Sequence, residues 1–148
     1  VWVECKRVSS ESNLQKNINK ACQQLTTTLR KHPQIGQRGL IAMDISKLIT
    51  RPPPNFLLVT EFENQIDNYS KAMLDEFIRA NSSIWQQTIQ SQDERIIGAL
   101  LRLQIVATSR EKNTPIYVAQ WGINPRLNVG LDDQRLMKDI VTRIQSAI

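Results

Sequence analysis

Residues 40–45 read Leu-Ile-Ala-Met-Asp-Ile, an apolar run broken only by Asp44. A half-exposed strand alternates apolar and polar side chains. A nearly continuous run suits a strand covered on both faces, as in a parallel sheet between helices. The chain before it agrees. Val1 to Val8, Val-Trp-Val-Glu-Cys-Lys-Arg-Val, is rich in β-branched and aromatic residues and predicts a strand. Leu14, Ile18, Ala21, Cys22, Leu25 and Leu29 then recur at three- and four-residue spacings. They form the single stripe of a helix running to about Arg30. Ser12 followed by Gln15 fits a capping box, and Pro33 and Gly36 mark the exit. Strand, helix and strand in this order make a βαβ unit, with its second strand parallel to the first.

The remainder extends that sheet. Lys47 to Pro54 reads as a rigid turn ending in three prolines, and Phe56 to Val59 as a short strand or buried loop. Glu61 to Ala80 predicts a helix with Phe62, Ile66, Tyr69, Met73 and Phe77 on one face. Asn81 to Ser83 interrupt it, and Ile84 to Gln92 add another helical turn or two. Ile96 to Ser109 and Pro115 to Asn124 read as two strands of an antiparallel hairpin around a polar turn at Glu111 to Thr114. Asp132 is placed to cap a last helix with Leu136, Met137, Ile140, Val141, Ile144 and Ile148 inward. The expected fold is α/β: one domain over residues 1–148, a mixed central sheet flanked by helices. The 148 residues are enough for one proper core, and no apolar run is long enough to span a membrane. The chain opens on Val inside a strand, so a C-terminal fragment of a longer protein is expected.

The first strand carries an unusual pair. Side chains alternate along a strand, so Glu4 and Lys6 point the same way with Trp2 beside them, while Val1, Val3 and Cys5 point the other way. A carboxylate and an ammonium on an apolar strand are costly to bury unless paired or used. Residues 1–51 hold nine Lys or Arg against three acids, and the rest of the chain ten against eleven. The basic half thus contains the unusual strand. That pattern points to a polyanionic partner or simply to a solvated basic surface. Cys5 and Cys22 form no metal-binding spacing. They read as buried free thiols of a reducing, cytoplasmic compartment, close enough to face each other between strand and helix. His32 is the only histidine, too few for a zinc site.

A strand bearing Val3-Glu4-Cys5-Lys6, a helix bearing Gln15, and a buried strand over Gly39 to Ser46 together resemble the PD-(D/E)xK, or restriction-endonuclease-like, nuclease superfamily. The resemblance covers about the first fifty residues. It implies hydrolysis of phosphodiester bonds, in DNA rather than RNA, with Mg2+ or Mn2+. Glu4 and the Cys5 carbonyl would be metal ligands, and Lys6 would orient or deprotonate the attacking water. Gln15 would face the site from the helix, where some members carry a Gln with a Tyr four residues on; here Asn19 stands in the Tyr position, and Gln15 also suits a helix cap. Arg7, Lys16 and Lys20 are the candidate phosphate contacts. Asp44 is either a site-lining acid or a cap for the turn at Ser46 and Lys47. The family's first Asp has no counterpart, since only three residues precede Glu4; that acid, with the N-terminal part of the core, would lie upstream of Val1. Cutting both strands of a duplex takes two sites, which is compatible with a homodimer, but no residue marks its interface. The alternatives are a non-catalytic nucleic-acid-binding or assembly domain on the same fold, and a structural domain in which Glu4 and Lys6 are an ordinary salt pair.

Overall fold

The computed structural model describes residues 1–49, 62–108 and 115–147. Strand β1 (Trp2–Arg7) leads through a 3₁₀ turn (Glu11–Asn13) into helix α1 (Leu14–Lys31), and strand β2 (Gly39–Asp44) follows. Helices α2 (Phe62–Ala80) and α3 (Ser82–Gln90) precede strands β3 (Ile96–Thr108) and β4 (Pro115–Pro125), and helix α4 (Leu131–Ser146) completes the order. The four strands form one mixed sheet in the order β1-β2-β3-β4. β1, β2 and β3 run parallel, and β4 returns antiparallel along β3. The βαβ unit and the hairpin are therefore both present. The expected elements at Pro52–Pro54, Phe56–Val59 and Glu111–Thr114 lie outside the described residues, as do the side chain of Phe62 and Ile148.

The register explains the apolar run in β2. Ile41 and Met43 share a face with Ala99 and Leu101 of β3 and pack with the stripe of α1. All six stripe residues, Leu14, Ile18, Ala21, Cys22, Leu25 and Leu29, are buried, together with Leu74 and Phe77 of α2 and Trp85 and Ile89 of α3. Leu40 points to the opposite face. There it meets Ile97 and Leu100 of β3 and Met137 and Val141 of α4 in a second, smaller core. A central parallel strand covered on both sides needs apolar residues at successive positions, which is what 40–43 supply.

Three local expectations are corrected. No capping box forms at α1: Ser12 lies inside the preceding 3₁₀ turn, the N-cap is Asn13 without a side-chain bond, and Ser12 Oγ sits 3.1 Å from Ser10 Oγ. The tightened turn takes over part of the work of satisfying the first helical amides. Asp132 does not cap α4 either. The helix starts two residues earlier than a cap at Asp132 requires, with Gly130 at the N-cap, so Asp132 and Asp133 lie in the first turn and favour the positive end of the helix dipole. On α2 the buried row is Ile66, Ser70, Leu74 and Phe77, while Tyr69 and Met73 are half-buried. β4 supplies the reason for Leu74. A Cβ on Gly122 would sit 2.8 Å from Leu74 Cδ2, so the missing side chain lets helix and strand close together.

At the amino end of the parallel strands, Arg126 binds the loop between α3 and β3. Its guanidinium donates to the carbonyls of Gln90, Gln92, Asp93 and Ile96 at 2.7–3.2 Å. Beside it Arg95 and Asp93 pair at 2.6 Å, and the bonds from Arg95 hold the Asp93 carboxyl below its ordinary range despite partial burial. Among the described residues no helix is long and apolar enough to cross a membrane.

Candidate functional site

Glu4 and Lys6 lie on the α1 side of β1, because their register partners Ile41 and Met43 belong to the core beneath α1. Lys6 Nζ donates to Glu4 Oε1 at 2.7 Å and to Gln24 Oε1 of α1 at 2.5 Å. The side chains are 15% and 28% exposed, so the ammonium is the more enclosed of the two. A lysine this covered needs polar partners, and the carboxylate and the amide oxygen supply them. Trp2, on the same face, stacks on His32 just beyond α1, with ring centroids 4.7 Å apart. The stack closes the amino end of the strand, and the site opens toward Gln23, Gln24, Thr27 and Thr28.

Gln24, not Gln15, reaches the pair. α1 runs back alongside β1, so each strand residue spans about 3.3 Å against about 1.5 Å per helical residue. Gln15 therefore lies some four strand residues beyond Gln24, on the exposed first turn. It shares a shallow groove with Lys16, Asn19 and Lys20. From sequence, the stripe places Gln24 off the buried face and assigns it no partner on β1.

The other candidates divide by face. Arg7 is paired in register with Asp44, and Asp44 with Arg102 of β3, all on the face opposite Glu4 and Lys6. Asp44 is a turn cap: its Oδ1 accepts from Ser46 N at 3.0 Å and Ser46 Oγ at 2.5 Å, and its Oδ2 from Arg102 Nη1 at 3.1 Å. Partial burial pushes its carboxyl up, but the two Ser46 bonds with the Arg102 and Arg7 charges outweigh that and hold it below the usual range. It does not line the Glu4 site. Cys5 also points away from α1. It is exposed, whereas Cys22 is buried and its thiol is pushed up to about 11 by burial, so the two sulfurs do not face each other.

Glu4 and the Cys5 carbonyl offer hard oxygen donors of the kind Mg2+ or Mn2+ takes, and Mg2+ keeps several waters of its own. The kind of donor fits, but the number is small: among the described residues no three His, Cys, Asp or Glu side chains gather where an ion could be held. No family model, curated protein or solved structure matches this chain.

Proposed function

We propose that this chain is part of a metal-dependent nuclease that hydrolyses phosphodiester bonds in DNA, with Glu4 and Lys6 in its reaction centre. The observation that carries this reading is the coupling of Lys6 to both Glu4 and Gln24 on the outermost strand of the sheet among the described residues. Glu4 and the Cys5 carbonyl would hold the divalent ion. That ion would lower the pKa of a bound water and offset charge building on the phosphate. Lys6 does the positioning. Its three protons serve Glu4, Gln24 and a third acceptor, and an incoming phosphate or the attacking water suits the third. Glu4 and Gln24 together hold the ammonium beside the groove that they line. The reading needs a second carboxylate beyond those the described residues bring to the pair.

A second reading is favoured by that short ligand set: a non-catalytic nucleic-acid-binding or assembly domain on the same fold, which keeps the basic surface and makes no cut. Plasmid and single-strand cleavage with Mg2+ or Mn2+, using the full native chain and its Lys6→Ala variant, separates the two. Cleavage lost in the variant while DNA binding persists supports the nuclease. Absence of cleavage in both, with salt-sensitive binding retained, supports the binding domain.

A further inference from the structure

Helix α1 differs in charge from the other long helices. Its eighteen residues carry Lys16, Lys20, Arg30 and Lys31 and no acid. α2 carries two cations against four acids, and α4 three against three. At 100° per residue, Lys16, Lys20, Gln23, Thr27 and Lys31 form one outward row, and all five are exposed. Among the described residues none of its three lysines is in an ion pair. The row is about 22 Å long, close to the rise of six or seven base pairs of B-DNA. Two shallow grooves border it and meet at Gln23. One runs from Gln23 past Asn19 and Lys20 to Lys16, and the other runs from Gln23 past Gln24 to Glu4. The cationic row and the Glu4–Lys6 pair are thus on one continuous surface.

We infer that the outward face of α1 is a phosphate-contacting track that leads a nucleic-acid backbone to Glu4 and Lys6. The composition favours nucleic acid over the other polyanionic partner, an anionic membrane. Between the lysines stand amides and hydroxyls that can meet phosphate and sugar oxygens. None of the large exposed apolar side chains lies on α1 to enter a bilayer. The end point of the track rests on the reading above; the binding does not.

The test is fluorescence anisotropy with a short labelled DNA duplex of arbitrary sequence, in EDTA, across a salt series. The Lys16→Ala/Lys20→Ala double variant is compared with Arg135→Ala/Lys138→Ala, which removes the same charge from exposed sites on α4, on the far side of the sheet. In the α1 variant the slope of log affinity against log salt should fall by about two, one for each phosphate no longer neutralised. The α4 variant should keep the native slope. Gln23→Glu, which puts an acid in the middle of the row, should weaken binding at low salt. The track is overturned if the two double variants lose affinity equally, if the α1 variant keeps its slope, or if the native chain binds vesicles of phosphatidylcholine and phosphatidylserine but not the duplex. A chain that binds through α1 and never cuts defeats the nuclease reading and leaves the track standing. One that cuts with an unaltered slope in the α1 variant does the reverse.

Discussion

Glu4–Lys6 on β1 and Asp44–Arg102 across β2 and β3 are the same kind of pair on opposite faces of one sheet, at distances of 2.7 and 3.1 Å. Their surroundings give them different work. Asp44 also accepts two bonds from Ser46, and the same Ser46 hydroxyl accepts from Gln104 N, so the cluster ties the end of β2 to β3. Arg102 in turn donates to Gln104 Oε1. Both oxygens of the Asp44 carboxylate are answered by its own neighbourhood. The Glu4 carboxylate, by contrast, has Lys6 as its side-chain partner among the described residues, and the ammonium has one proton left over. One pair closes a turn. The other keeps capacity for an incoming group.

Breaking each pair should therefore have opposite consequences. If the nuclease reading holds, Lys6→Ala should lower the cleavage rate by about a hundredfold or more, while thermal unfolding moves little; plasmid nicking with the melting curve of the same sample measures both. Asp44→Ala should do the converse. It leaves Ser46 uncapped and Arg102 without its carboxylate, so urea denaturation should register a loss of about 1–3 kcal/mol, with cleavage per folded molecule unchanged.

Acid sharpens the same contrast. The folded pKa values of Asp44 and Asp93 lie below the ordinary value. Their stabilising effect is complete above an unfolded pKa of about 4 and is lost as pH falls through the lower folded values. The urea midpoint should decline below about pH 4, and less steeply in Asp44→Asn. The smallest effect belongs to Glu4→Gln, whose partly exposed pair should contribute less than about 1 kcal/mol to stability, again read from urea midpoints. A larger loss there would make the two pairs alike and weaken the case for a site.

The residues that face the core were the legible ones. The stripe of α1 and the run at 40–45 state their burial through period and continuity, because the hydrophobic effect acts on every residue of a face. The parallel order of β1 and β2 followed, since a helix between two strands has few other ways to pack. Helix ends were less legible. Ser12 and Asp132 have the right side chains for caps, but a shift of one or two residues in the helix start removes the bond. The polar partners were hardest to read. Glu4 and Lys6 share a face by strand alternation alone, whereas Gln24 joins them only through the relative placement of helix and strand. Asp44 falls on the far face because it is three register positions from Ile41, the partner of Glu4, and odd separations change sides.

Arg126 has a consequence for how the molecule comes apart. Its guanidinium, just past the end of β4, holds four carbonyls between the last turn of α3 and the first residue of β3, and its own amide donates to Ile97 O at 2.8 Å. The hairpin cannot peel away without opening the loop at which β3 begins, and that opening would strip the core under α1 of Ile96. Slow amide exchange in β3, β4 and β2 should consequently share one opening free energy, as members of a single cooperative unit rather than of two halves that loosen separately.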